Sequence, residues 1–243
     1  MTADRVLASA GQDGEERSPL TLPSFRCQLS SEGMLKVGLT GSIAVGKSFV
    51  CDVLRESGVH VLDADRTARD VVAPGTKGLA GIVEAFDYEI LLPDGSLDRA
   101  KMARLVFADE TKRKLLNSIV HPLVIEAQDR WIGQIEAADP NGIAVVDAAL
   151  MIESGGYKRF DKLVVVWCEP GIQLARLTER SGLTEQEVRE RIAAQMPQDE
   201  KKRYADYLID SSAGFDDTRR QTLELVDELR SLEIVATKDV RIR

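Results

Sequence analysis

An α/β fold, with helices covering both faces of a five-stranded parallel sheet, is what three features of this sequence predict. Five short apolar runs, at 35–39, 59–62, 143–146, 163–167 and 207–209, lack the polar alternation of a half-exposed strand. Each is followed by residues of helical period, the order expected when crossover helices join parallel strands. Directly after the first run comes a glycine-rich bend, "GSIAVGKS", at 41–48.

The 243 residues suffice for one large domain or a core with an inserted lobe, and 44% hydrophobic with 30% charged residues describes a globular chain. No run approaches the roughly eighteen apolar residues of a transmembrane helix, so no membrane partner is expected. A net charge of -8 argues against nucleic acid, because a phosphate backbone demands clustered Lys and Arg with little competing carboxylate. One small anion in a local positive pocket stays allowed. Cys27, Cys51 and Cys168 are odd in number and lack C-x-x-C spacing, which fits a reducing cytoplasm. Cys51 and Cys168 lie in apolar runs and read as small buried hydrophobes. Residues 1–33, rich in Ser, Gly and charge, read as a flexible tail without a signal peptide. Met34 immediately precedes the first run and offers an alternative translation start.

About eighty residues separate the second and third runs, and their period is helical. Leu97, Met102, Leu105, Val106, Leu115, Leu116 and Ile119 recur at helical spacings, so about 76–139 reads as a helical insertion. His121-Pro122 interrupts it, with Pro122 suited to a first helical position. A helical pair at 173–180 and 184–203, broken by Ser181 and Gly182, separates the fourth and fifth runs. The core is then 34–75, 140–172 and 204–232, leaving 233–243 as a C-terminal tail.

Gly41-x-x-x-x-Gly46-Lys47-Ser48 matches the P-loop pattern and lies where its chemistry requires, after a strand and at the start of a helix. Glycine lets the backbone, here also Ala44 and Val45, curl its N–H groups around phosphate oxygens, and the helix N-terminus adds positive potential. Lys47 would reach the β- and γ-phosphates of ATP, and the Ser48 hydroxyl would ligate Mg²⁺. GTPase, ATPase motor and small-molecule kinase all use such a loop. The absence of any Asn-Lys pair makes the GTPase reading poor.

Kinase chemistry needs a carboxylate beside the acceptor hydroxyl, and "VLDADRTARDVV" carries Asp63 and Asp65 at the end of the second run. Asp65 is the candidate, its alternative being an N-cap for a helix starting at Arg66. Asp147 closes the third run and suits Mg²⁺, directly or through water, while Glu153 reads equally as functional or as a solvated loop charge. Arg176 and Arg180, one turn apart beside a helix break, can neutralise a transferred phosphate and close the site. His60 reads as an ordinary strand residue.

Taken in order, these motifs resemble those of the dephospho-CoA kinase family. "VGLTGSIAVGKS" is similar to its opening strand and loop, "VLDADRTARDVVAPG" to its acceptor-side segment, and "NSIVHPLV" to the His-Pro element of its insertion. "VVDAALMIESG" is similar to its third strand, "ARLTERSGLTEQEVRERIAAQ" to its lid, and "ADYLIDSSAG" to its last strand and adenine loop. The resemblance spans about 35–214. It implies a P-loop NTPase three-layer fold with a helical acceptor-binding insertion and a helical lid at about 173–203. The implied reaction moves the ATP γ-phosphate to the ribose 3'-hydroxyl of dephospho-CoA with Mg²⁺, in a cytoplasmic monomer or weak homo-oligomer. Asp65 becomes the catalytic carboxylate and Arg180 the phosphate clamp, alongside Lys47. His121 becomes a candidate for the acceptor pocket. The ATP set is Gly41, Ala44, Val45, Gly46, Lys47, Ser48, Phe49 and Arg176, with Ser48 and Asp147 for the metal. Three positions depart from the family pattern. Phe49 replaces a second hydroxyl and leaves only its backbone for the α-phosphate, Ala149 replaces a proline, and Ser211 replaces an asparagine near adenine.

Overall fold

The computed structural model describes residues 34–240, with side chains through Leu232. The expectations for the N-terminal tail, for Cys27 and for the last three residues lie outside them. Five strands, β1 (Leu35–Thr40), β2 (His60–Asp63), β3 (Ile143–Asp147), β4 (Lys162–Trp167) and β5 (Tyr207–Asp210), form one sheet in the order β2-β3-β1-β4-β5. All neighbours pair in parallel.

Burial explains why the runs are apolar throughout. Val37, Leu39, Val145, Val164 and Val166 turn to one face, packing with Val50, Leu54, Val226 and Leu229. Those four belong to helices α1 (Lys47–Glu56) and α9 (Phe215–Val240). Ala144, Val146, Leu163 and Val165 turn to the other face, against Ile132, Met151 and Ile152. With both faces covered, no strand position is left for a polar residue except at the ends. β1 leads to β2 and β3 on one side and has β4 and β5 on the other, so a crevice opens beside β1 at the carboxyl edge.

After β2 come α2 (Ala64–Asp70), α3 (Lys77–Phe86), α4 (Arg99–Ala108) and α5 (Glu110–Ala138). Leu79, Ile82, Ile90, Leu97 and Met102 give this insertion its own small core. Leu97 precedes α4 and bridges Leu91 across a turn rather than sitting in a helix. Asp109 separates α4 from α5, its carboxylate accepting from the amides of Thr111 (2.9 Å) and Lys112 (3.1 Å).

The expected interruption at His121-Pro122 does not occur, because α5 runs straight through Pro122. A proline ring removes one ladder bond, here to the Ser118 carbonyl. Ser118 and Pro122 are both exposed, so the freed oxygen is open to solvent rather than buried without a partner. A second correction concerns 184–203, expected as one helix. It divides into α7 (Glu185–Ala193) and α8 (Gln198–Lys202) around Pro197, after α6 (Pro170–Ser181) and a left-handed Gly182. The stretch set apart as a C-terminal tail continues α9 to Val240.

Lys201 on α8 has no solvent exposure. Its Nζ donates to the Ala149 carbonyl (2.7 Å) and pairs with Glu153 (2.8 Å), while Thr40 Oγ1 donates to the same carbonyl (3.2 Å). Glu153 also accepts from the Met196 amide at 3.2 Å, so it ties the loop after β3 to the start of α8. Replacing Glu153 by Ala is expected to lower unfolding free energy by about 2 kcal/mol, because a buried ammonium loses its counter-charge. Adding Lys201→Met should return much of that loss, as read by urea denaturation at neutral pH.

Candidate active site

The chain leaves the end of β1 into the glycine loop. Gly41 is required by close approach, since a Cβ there would stand 2.5 Å from the Val166 carbonyl of β4. Gly46 closes the loop at φ 86°, a left-handed conformation that costs glycine little. Between them Ala44 adopts φ 62° with a side chain, so the loop carries local strain. Gly46 offers no side-chain cap to α1, which leaves the first helical amides open toward the crevice.

Lys47, the first residue of α1, forms an ion pair with Asp147, the last residue of β3. Register sets this up: Asp147 aligns with Leu39 of β1 on one side and Asp63 of β2 on the other. The Cys51 thiol donates to the second Asp147 oxygen at 3.3 Å. Burial, then the Asp147 charge, hold that thiol far above the ordinary range, so it stays protonated. Cys168 is raised chiefly by burial as well. Both thiols thus occupy the packing role their sequence context predicts.

Asp63, not Asp65, caps α2, accepting from the Arg66 amide at 3.0 Å. The capping alternative for Asp65 is thereby removed. Asp65 stands one residue into the helix and lines the same cavity as Lys47. Its carboxylate is accessible at the mouth, yet desolvation by its packed surroundings raises its pKa. Lys47 opposes that shift, and Asp63 and Asp147 reinforce it.

That cavity, of about 530 Å³, is walled by the loop from Ser42 to Phe49, by Asp65, and by Arg176 and Arg180 of α6. Arg176 donates to the Ser211 hydroxyl (3.0 Å) and carbonyl (2.8 Å), and the Ser211 hydroxyl donates to Val45 O at 2.7 Å. Ser211 therefore braces the loop from behind instead of facing the cavity with a free polar group. Arg180 is exposed and makes no salt bridge among the described residues. Phe49 stacks on Phe215 with ring centroids 4.8 Å apart, and its amide donates to Gly46 O at 3.1 Å. The backbone donor expected for the α-phosphate thus already has a partner.

Of the sequence-derived residues, His121 is not brought to this cavity; it lies exposed on α5. Gly41 sits beneath the loop, and Asp147 stands behind Lys47. His60 Nε2 donates to Asp139 Oδ2 at 3.1 Å, away from the crevice. Glu153 is occupied by Lys201 and Met196. Sequence reasoning gave no site role to Ser42, Ile43, Ala149, Gln195, Gly214, Phe215 and Thr218, all of which line the cavity. Ser42 and Ile43 carried a signal through their place inside the glycine loop, and Ala149, Gln195 and Gly214 lie within the segments that resemble the family's motifs. A larger cavity, about 1080 Å³, lies among α3, α4 and the start of α5 and contains none of the phosphate-loop residues. The glycine loop, Lys47, Asp65, Arg176 and Arg180 meet in the smaller one, which is the better candidate site.

Comparison with known proteins gives one consistent family. The dephospho-CoA kinase family model matches residues 35–217. A dephospho-CoA kinase of Streptomyces avermitilis is 47% identical over 77% of this chain and 90% of its own. That of Geobacillus kaustophilus is 44% identical over 82% of this chain and 98% of its own. Among solved structures, TT1252 from Thermus thermophilus superposes with a TM-score of 0.71 at 29% identity, covering 80% of this chain and 97% of that one. The dephospho-CoA kinase from Campylobacter jejuni shares the fold, with a TM-score of 0.54 at 21% identity over 79% and 96% of the two chains.

The raised Asp65 pKa has a consequence for stability that can be measured without substrate. A carboxyl whose folded pKa exceeds its unfolded value destabilises the fold when ionised, and the penalty vanishes below the unfolded value of 3.8. Asp65→Asn is therefore expected to melt at a higher temperature than the parent at neutral pH, with the gain disappearing on acidification below that value.

Proposed function

Because the chain belongs to the dephospho-CoA kinase family, we propose that it transfers the γ-phosphoryl group of ATP to the ribose 3'-hydroxyl of dephospho-CoA, yielding coenzyme A and ADP. The observation that carries this reading is the convergence on one cavity of the glycine loop, Asp65, Arg176 and Arg180, in a chain matched by the family over 35–217.

ATP binds with its phosphates against the amides of Ala44 to Ser48, where the start of α1 supplies positive potential. Lys47 exchanges Asp147 for the β- and γ-phosphates, a swap of one anionic partner for another. Ser42 Oγ, the one buried side-chain polar atom without a partner among the described residues, lies in the wall of this cavity and fits a phosphate ligand. Ser48 and the released Asp147 carboxylate would hold Mg²⁺. This donor set of one hydroxyl and one carboxylate suits an ion that takes its other ligands from phosphate and water. When bound, the ion neutralises charge on the transferring phosphoryl group.

Asp65 accepts the proton of the ribose 3'-hydroxyl as the oxygen attacks. Desolvation raises the basicity of its carboxylate toward the working pH, which favours that transfer. Arg180, free to move on an exposed face, clamps the phosphate from the lid side, and Arg176 supports the loop through Ser211. Closure of 173–203 over the site excludes water and with it idle ATP hydrolysis. The insertion at 76–139 receives the acceptor, with His121 on its exposed surface a contact for the part of dephospho-CoA furthest from the reacting hydroxyl. We place the enzyme in the cytoplasm as a monomer or weak homo-oligomer, in keeping with Cys51 and Cys168 as free buried thiols.

Measuring ADP release with dephospho-CoA, AMP, dCMP, shikimate and gluconate tests the assignment. Dephospho-CoA should be the preferred acceptor, with coenzyme A as product by mass spectrometry; preference for another acceptor, or turnover without any, overturns it. Asp65→Asn is expected to lower kcat by about 10² to 10⁴ while changing the ATP KM little. In the parent enzyme kcat/KM should fall on acidification at a pH above the ordinary carboxylate value, as Asp65 takes up a proton.

A further inference from the structure

Ile43, at the crest of the glycine loop, makes no backbone-to-backbone hydrogen bond among the described residues. Two glutamine side chains hold it instead. Its N–H donates to Gln195 Oε1 at 2.8 Å, and its carbonyl accepts from Gln173 Nε2 at 2.8 Å. Gln173 lies on α6 and is 2% exposed; Gln195 lies in the link between α7 and α8. The Gln173 carbonyl accepts from Gln198 Nε2 at 2.8 Å. Gln198 in turn grips Cys168, donating to its carbonyl (3.1 Å) and accepting from its amide (3.0 Å). A chain of amides thus runs from the end of β4 to the phosphate loop, and the lid segment delivers both of its contacts with Ile43.

We propose that Gln195 and Gln173 are positioning residues for the phosphate loop, holding Ile43 so that the nucleotide site is complete only while the lid segment is seated. The inference rests on reading 41–48 as the ATP site. Its physical ground is the neighbouring residue. Ala44 is held at φ 62°, a conformation that a side chain disfavours and that surrounding contacts must enforce. Fixing the polar groups on both sides of Ile43 fixes the entry to that strained residue, and with it the direction of the amides that follow. Loss of Gln195 leaves the Ile43 N–H without its partner and relaxes the loop before phosphate arrives. Neither glutamine touches phosphate in this scheme; each acts through the loop.

The two contacts have opposite chemistry, which makes them separable. Gln195 serves only as an acceptor, so Gln195→Met removes the interaction at similar volume whereas Gln195→Glu keeps it. Gln173 serves as a donor, so Gln173→Glu loses its bond to Ile43. In steady-state assays with ATP and dephospho-CoA, at about 0.2 M salt to screen the added charge, Gln195→Met is expected to raise the ATP KM about five- to tenfold. The same change should alter kcat and the dephospho-CoA KM by less than about threefold, and Gln195→Glu should recover most of the ATP KM. Gln173→Glu should raise the ATP KM without recovery; should it fail to fold, the pair at partly exposed Gln195 decides alone. A parental ATP KM in Gln195→Met, an equal loss in every kinetic constant, or a Glu variant no better than Met overturns the proposal. Lys47→Ala separates this from failure of the site itself. If it binds ATP as the parent does, the nucleotide reading falls; if it loses ATP while Gln195→Met does not, only the positioning role falls.

Discussion

A lysine and an aspartate from the ends of neighbouring chain segments hold the centre of this molecule together. Lys47 begins α1 where β1 has just delivered the glycine loop, and Asp147 ends β3 alongside β1. Parallel pairing of β1 with β3 puts both groups at the same edge, and burial of Asp147 keeps water from weakening their attraction. An ion pair so placed stores an exchangeable partner for each member. A triphosphate can take the lysine and a cation can take the carboxylate, with less net desolvation than two separate buried charges would require.

Around that pair the fold is assembled from the sheet, the insertion and the helices of 173–203. The sheet is buried on both faces, and its carboxyl edge presents the loop, Asp63 and Asp147 in fixed register. The insertion has its own core, and α5 joins it to the sheet through Ile132. Residues 173–203 are held to the rest of the fold by Lys201 with Glu153, Arg176 with Ser211 and the glutamine chain, besides the packing of Met196. The neutral hydrogen bonds among these are individually worth about 1 kcal/mol, less than breaking the buried ion pair of Lys201 with Glu153 costs.

Strands and the phosphate loop were legible because their signals are local and their context is uniform. A strand covered on both faces must be apolar throughout, and all five runs became strands with ends within a residue or so. The loop needs glycine where Val166 approaches and where φ turns positive, and both needs are met within eight residues. Less legible were the points where proline competes with its surroundings. Pro122 leaves α5 intact, with its freed carbonyl partner on an exposed face, whereas Pro197 stands between α7 and α8. The cap of α2 went to Asp63 because its own backbone is extended, which spacing alone does not distinguish from Asp65.

What the sequence determined by itself is the chemistry on offer: an anion-binding loop, a lysine, carboxylates at strand ends and arginines near a helix break. These follow from residue types at short spacings, where local geometry leaves few options. Tertiary structure decided which of them meet. Asp65 joined Lys47 in one cavity while His121 stayed outside it, Ser211 turned inward to brace Val45, and Gln173 and Gln195 closed on distant Ile43 with Gln198 behind Gln173. Those pairings span from 25 to 166 residues of chain, and a hydrogen bond between such distant groups depends on how the helices pack on the sheet, which no local pattern encodes.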